Sequence, residues 1–507
     1  MRARAFRSGV LLALAVASPA AAQERVIVSR AADDVALTIY RAPYGRGAID
    51  LRDLGGFALV TETRRVRVPR GASVLRFEGV AEGIVPVSAV VDGLPGSVVE
   101  KNRDARLLSP ASLVDGTLGR QVTLTRTDRA TGRQMSEEAT IVAGPEPSVV
   151  LRTSAGIEAL RCSGLAEQLT YRGVPRGLSS KPVLSVSTVS PAARTVTVRL
   201  SYLASGFDWR ASYVATVMAD GRSLDLFAWL TLANANPQAF AGAEVSAVAG
   251  RLNRVALPAL PEGIAALSLR CYPLGTTTSD LRQQRFEEAQ EIIVTGSRVM
   301  NSPMAMMDVA APAPPPPPPP PPENLGDLKL YRVPERVTVG ARGQKQVALL
   351  ARAAVPFERR YRRQVYPWQA ISAGSTAIVL LMRNRKEDAL GLALPSGSTA
   401  TYGRRGGEDL LLGLGDLSDR AEGETFRIAA GISTQVLIEQ RTLDEKLVLL
   451  TASNASAFPV MLEVPIGAAG QSIVAEGATL LPIDGVATWS PTLAPGERAE
   501  LRYRKPT

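Results

Sequence analysis

The chain has 507 residues, of which 46% are hydrophobic and 21% charged. That balance supports a packed core and excludes a wholly disordered chain, a collagen and a disulfide-dense mini-scaffold. It contains no histidine, which removes Ser-His and Cys-His relays, histidine metal sites and the usual neutral-pH base.

Residues 1–22 have a basic start (Arg2, Arg4, Arg7), an apolar stretch over 10–17, Pro19 and a small-residue end, Ala20 to Ala22. This pattern predicts a secretory signal peptide cut before Gln23. The apolar stretch is far shorter than the roughly 20 residues of a membrane span. No cysteine follows the cut to carry a lipid, so the expected product is periplasmic or outer-membrane-associated, with no transmembrane span. Losing the three arginines lowers the formal charge from +10 to +7. The basic spots, Arg359-Arg360 with Arg362-Arg363 and Arg404-Arg405, are small and dispersed. They read as solvated faces, with contact to lipopolysaccharide or an acidic glycan as the alternative. A nucleic-acid partner is not expected. The two cysteines, Cys162 and Cys271, either form one disulfide in an oxidising compartment or remain two buried thiols. If joined, the long loop they close stabilises by up to ~4.7 kcal/mol in the chain-entropy model.

In chain order, short apolar or alternating runs separated by Gly and Pro cover 35–40, 57–68, 73–77, 121–127 and 149–152. This is strand and turn chemistry, and an N-terminal β domain is expected over 23–190. A second region opens with TVTVRLSYL at 195–203, where Val196, Val198, Leu200 and Tyr202 share one face. Strands are predicted next at 213–218, 223–233 and 243–249. They resume at 344–351, 377–384, 426–429, 434–439, 446–454, 460–464 and 499–504. With no helical repeats between them, these strands predict an all-β chain of antiparallel β-sandwich domains in tandem. The second region is divided by an insertion, so that 191–278 and 324–507 are its two parts.

The insertion, 279–323, is expected to be flexible. It begins with a short predicted helix at 279–290 (SDLRQQRFEEAQ) and continues with EIIVTGSR at 291–298. A methionine patch follows (Met300, Met304, Met306, Met307), then nine prolines from Pro314 to Pro322. Nine prolines predict a polyproline II rod of about 28 Å.

The segment YLASGFDWRASY at 202–213, with the strand that follows it, resembles the C-terminal domain of mucoidy inhibitor MuiA-like proteins, a domain of unknown function. The resemblance rests on Trp209 and Tyr213, on Asn234 with Glu244, on Leu394-Pro395-Ser396-Gly397 with Tyr402, and on Pro495-Gly496 with Tyr503. It covers about 185–507 and includes LGDLKLYRVPERVTVGARGQKQVALL at 325–350. Residues 60–79 and 178–185 are similar to the family's bacterial N-terminal region, although the coiled coil of some relatives is absent. The resemblance implies a β-sandwich envelope protein with no assigned reaction and no catalytic residues to transfer. A second, local resemblance covers Glu291, Ile292, Ile293, Val294, Thr295, Gly296, Ser297 and Arg298. This segment is similar to the IVVTGSR stretch that opens TonB-dependent receptors, which implies a strand open to capture by a TonB-like partner. No barrel follows it here.

Without histidine, a hydrolase would need paired carboxylates or a Ser-Lys arrangement; no Ser-x-x-Lys motif combines with a second basic partner, and Asp208, Asp225 and Glu244 lie in or near the best-matching strands. Paired acids cleave glycosides when held about 5–10 Å apart. Each of the three reads first as a turn or surface acid, and Asp208 most simply as an Asx-type backbone acceptor. Trp209, Tyr213, Phe227 and Trp229 either form sandwich core or line a sugar-binding face. Trp368, flanked by Pro367 and close to the arginines at 359–363, is the better surface candidate for carbohydrate. No phosphate loop, dinucleotide fingerprint, zinc spacing or calcium loop occurs, so neither cofactor nor metal is expected. The expected function is that of a non-enzymatic interaction or structural protein of the cell envelope, with an envelope protein or surface polysaccharide as partner. The alternatives are an accessory of TonB-linked transport and a carboxylate-based carbohydrate-active enzyme.

Overall fold

The computed structural model describes residues 25–43, 49–96, 98–104, 108–128, 131–144, 149–160, 167–175, 178–250, 252 and 320–506. Alternation of apolar and polar residues governs them. Arg194–Ser205 buries Val198, Leu200 and Tyr202 on one face, and Phe207–Val217 buries Trp209, Ala211, Tyr213 and Ala215. The chain is all-β, in sandwiches arranged in tandem, with mostly antiparallel sheets as the alternation predicts. Among the described residues four strand pairs are parallel: Arg25–Ser29 with Gly71–Glu78, Phe207–Val217 with Gly397–Arg405, Phe240–Ala249 with Asp34–Tyr40, and Glu358–Arg362 with Val460–Pro465. Among the described residues the one α-helix is Pro110–Gly116, started by a Ser109–Ser112 capping box that sequence reading missed. The helix predicted at 279–290 lies outside the described residues.

The pairing shows that one strand pattern occurs twice. In the first unit Asp34–Tyr40 pairs antiparallel with Phe57–Val68, which pairs with Arg194–Ser205. Phe207–Val217 pairs with Ser223–Asn234, and that strand with Gly343–Pro356. Phe240–Ala249 then returns parallel to Asp34–Tyr40 and takes Leu328–Arg332 and Val337–Val339 antiparallel. In the second unit Glu358–Arg362 pairs with Ile371–Arg383, which pairs with Thr425–Thr442; that strand pairs with Leu447–Asn454, and it in turn with Arg498–Arg504. Val460–Pro465 returns parallel to Glu358–Arg362 and takes Val486–Trp489 and Thr492–Leu493. The long strand Thr425–Thr442 does the work of two strands in the first unit, its register with Ile371–Arg383 breaking between Ser433 and Leu437 where the first unit turns at Gly206 (φ 79°).

A matching side-chain clamp marks the duplication. Asn234 Nδ2 donates to the carbonyl of Gln238 at 2.8 Å, and its Oδ1 accepts from the Asn236 amide at 2.9 Å. Asn454 does the same to Phe458 at 3.0 Å and from Ser456 at 2.9 Å. Ala235 and Ala455, one residue on, each donate at 2.8 Å to the adjoining strand, at Gly206 and Gln435.

These pairings move the domain boundaries. The expected division at 190/191 falls inside one sheet, because Arg194–Ser205 pairs along its whole length with Phe57–Val68. Residues 69–193 are an insertion between two neighbouring strands, and the second unit carries a smaller insertion, 384–424, at the equivalent position. Within the first insertion a five-stranded sheet has its own small core around Val122, Leu124, Ile141 and Leu151. The second insertion contributes the hairpin of Gly397–Arg405 and Glu408–Leu417, which extends a sheet of the first unit.

Candidate functional site

The three acids do not converge. Asp208 is buried; its Oδ1 accepts from the amides of Ala42 (3.0 Å) and Trp209 (2.8 Å), and its Oδ2 faces Arg210 at 3.6 Å. Burial pushes its carboxyl above the ordinary range. Asp208 lies opposite Ala233 and Asp225 opposite Thr216 in the same strand pair. Eight residues along a strand is about 26 Å, well beyond the reach of a carboxylate pair. Asp225 instead accepts from the amide of Ala354 (3.0 Å), a bulge residue at φ 53°. Glu244 is exposed on a strand of another sheet, 3.8 Å from Arg332. Among the described residues no group of three or more acids or cysteines is placed to hold a metal.

The aromatics divide by strand parity. Trp209 and Tyr213 are core, with Trp209 Nε1 donating to Val248 O at 3.1 Å and Tyr213 OH to Pro395 O at 2.5 Å. Arg41 packs its guanidinium 5.4 Å from the Trp209 ring centre and is held by Asp419 and Ser396. Phe227 and Trp229 point to the opposite, outer face, their rings edge-on at 4.7 Å, with Trp229 partly exposed.

A rigid aromatic display lies in the second unit. Residues Tyr366 to Gln369 form a turn closed by Gln369 N donating to Tyr366 O at 3.0 Å, with Pro367 at its second position, where a ring-fixed φ suits the turn. Buried Gln440 fastens it from beneath, donating Nε2 to the carbonyls of Tyr366 (2.7 Å) and Gln369 (2.5 Å) and accepting from Tyr503 OH at 2.9 Å. Pro367 is buried, whereas Trp368 is 59% and Tyr366 47% exposed. The backbone is fixed and the two rings face water. Sequence reading marked Trp368 but missed Tyr366 and the Gln440 anchor, which sits over seventy residues away on another strand.

The arginines beside this turn are largely engaged. Arg360 pairs with Glu358, Arg362 with buried Glu463 (2.9 Å), and Arg363 donates to the carbonyls of Ser375 and Ile438. The buried Arg64–Glu62 pair is also satisfied. Arg64 bonds Glu62, Ser29 O and Glu78 O, while Tyr202 OH donates to Glu62 at 2.6 Å and accepts from the Ala81 amide. Desolvation, with Glu62 beside it, lifts the Tyr202 phenol far above its ordinary value. With every partner filled, this network fixes how the sheets pack and offers nothing to a ligand.

Residues 1–22 and 291–298, expected as a signal peptide and a capture strand, and Cys162 and Cys271 lie outside the described residues. No helix among the described residues is long and apolar enough to cross a membrane. No protein-family model matches the chain, and no curated protein matches it.

Proposed function

We propose that this chain is a non-enzymatic interaction protein of the cell envelope, exported through 1–22, whose MuiA-like motifs mark a contact scaffold rather than a catalyst. The partner, an envelope protein or a surface polysaccharide, is met by the Tyr366–Trp368 turn. The observation that carries this reading is the pair of exposed rings on a turn held by buried Gln440. Tyr and Trp supply large contact area at low entropic cost and dominate interface energetics, and a preorganised backbone reduces the ordering cost of binding. The wide separation of Asp208 and Asp225 supports a binding role over glycoside cleavage.

The test is affinity recovery from envelope extracts, alongside binding to purified surface polysaccharide, with the wild-type chain and with Trp368→Ala and Tyr366→Ala. Both substitutions are expected to abolish recovery while leaving the circular dichroism spectrum unchanged. Undiminished recovery by both variants, or turnover of an envelope glycan by the purified chain, overturns the proposal.

A further inference from the structure

The five-stranded sheet of the first unit ends in Glu408–Leu417, which is bonded on one side only, to Gly397–Arg405. A free edge presents unpaired N–H and C=O groups, and proteins blunt such edges with charged side chains, above all Lys, with Pro, with bulges or with very short strands. This strand is ten residues long and contains neither Lys nor Pro. Its one irregularity is a bulge at the Thr401/Tyr402 step, beyond which Gly413 to Leu417 run in regular register with Thr401 to Gly397. Leu410, Leu411, Leu412 and Leu414 are 50%, 54%, 42% and 70% exposed, so the edge shows a run of apolar side chains to water.

The edge is also held in place. Gly413 lies so close to the neighbouring strand that a Cβ on it would stand 2.7 Å from the Gly431 nitrogen, and a Cβ on Gly415 would stand 3.0 Å from that of Ala429. Thr401, paired with Gly413, donates its hydroxyl to Ala429 O at 2.6 Å. The strand is therefore backed by a second layer and needs little ordering to accept a partner.

Charge selects the occupant. The strand carries Glu408 and Asp409 at one end and Asp416 at the other. Arg404 engages Asp409 at 2.9 Å, whereas Glu408 and Asp416 form no ion pair among the described residues. A second copy laid antiparallel in full overlap would set Asp409 against Asp416, and one shifted by a residue would set Glu408 against Asp416; like charges directly opposite destabilise a strand pair. We propose that Glu408–Leu417 takes up, by strand addition, an extended peptide segment of another protein with an aliphatic centre and basic residues at both ends. This surface is independent of the Tyr366–Trp368 turn and stands or falls separately from it.

The experiment is fluorescence anisotropy on the full chain with labelled synthetic peptides of roughly nine residues, a length that spans the strand. One peptide has alternating valine and threonine flanked by lysines, a second has the same centre flanked by glutamates, and a third is the lysine peptide N-methylated at every valine and threonine. The lysine peptide is expected to bind about tenfold more tightly than the glutamate peptide, a few-fold for each facing charge, and less so in high salt. The N-methylated peptide, which cannot donate to the edge, is expected not to bind. Glu408→Lys with Asp416→Lys should reverse the preference, and Leu411→Lys with Leu414→Lys should abolish binding. Failure of the lysine peptide to bind, equal binding of all three peptides, or a stable homodimer in sedimentation overturns the proposal.

Discussion

Replacing Tyr202 by Phe removes one hydroxyl from a place where no water can substitute for it. The hydroxyl donates to Glu62 at 2.6 Å and accepts from the Ala81 amide at 3.0 Å, and Tyr202 and Glu62 are both buried. A hydrogen bond to a charged group contributes about 1.5–3 kcal/mol, and an amide left buried without a partner costs a further ~1–3 kcal/mol. Tyr202→Phe is therefore expected to destabilise by about 3–5 kcal/mol. Tyr503→Phe is the control, since its hydroxyl donates to the neutral Gln440 amide at 2.9 Å, and its loss should cost about 1–2 kcal/mol. The two tyrosines belong to separate cores, the first with Trp209 and the second with Trp489. Urea unfolding should be followed by fluorescence in versions that keep only one of these tryptophans. Tyr202→Phe should shift the transition reported by Trp209, and Tyr503→Phe that reported by Trp489. A Tyr202→Phe cost within about 1 kcal/mol of the Tyr503→Phe cost would refute the account of a charge held by its full set of partners.

Two further substitutions address pH and the aromatic turn. Burial raises the Asp208 pKa on folding, so the folded state binds more protons than the unfolded state between the two values. The stability this contributes is present below the unfolded value and is lost as pH rises through the folded one. Asp208→Asn keeps an acceptor for Ala42 and Trp209 without the buried charge, and should gain stability relative to wild type between acid and neutral urea titrations; a pH-independent difference would contradict the assignment. Gln440→Ala removes both donors that fix the Tyr366–Gln369 turn and should weaken partner binding several-fold with Trp368 intact. The accompanying readout is faster amide hydrogen exchange at Gln369, whose N–H closes the turn.

Much of the fold is legible along the chain, because a half-buried strand writes its period of two into the residues. TVTVRLSYL at 195–203 and QVTLTRT at 121–127 name their strands with little ambiguity. Partnership is a different matter. The strand Arg194–Ser205 pairs with Phe57–Val68 across an insertion of more than a hundred residues, and nothing local in either strand specifies the other. The exposed LLLGLGD run carries no such signal: its covered face is lined by Gly413 and Gly415, packed against Gly431 and Ala429, while its leucines face water. The Asn-Ala-Asn and Asn-Ala-Ser triplets at 234–236 and 454–456 were readable as a repeat. Their meaning, a side chain clamping the loop that opens each returning strand, became visible only with the pairing. For the acids the reverse holds. Residue type suggested chemistry, and strand register, which sequence does not report, placed Asp208 and Asp225 at opposite ends of one ladder.

The duplication also predicts an asymmetry between the units. The second core is built entirely from residues between Tyr361 and Tyr503. The first core includes Leu380, Met382, Leu394, Leu417, Phe426 and Ile428 from the second unit, and its strand Phe207–Val217 takes Gly397–Arg405 as a neighbour. A fragment of residues 25–356 would lose those side chains and that strand together. Each large buried aliphatic or aromatic side chain contributes about 1.5–3 kcal/mol, so the six together, about 9–18 kcal/mol, are comparable to the whole ~5–15 kcal/mol by which ordinary domains are stable. Residues 357–506 keep their own core whole but leave the same side chains facing water. Expressed separately, 25–356 is expected to lack a cooperative unfolding transition. Residues 357–506 should unfold cooperatively while binding a hydrophobic dye, and mixing the two should suppress the dye signal. A cooperative transition for 25–356 alone would show that the hairpin at 397–417 only decorates the first unit. Its absence, with recovery on mixing, would make the second unit the one whose core forms first and the first unit a sandwich completed by its neighbour.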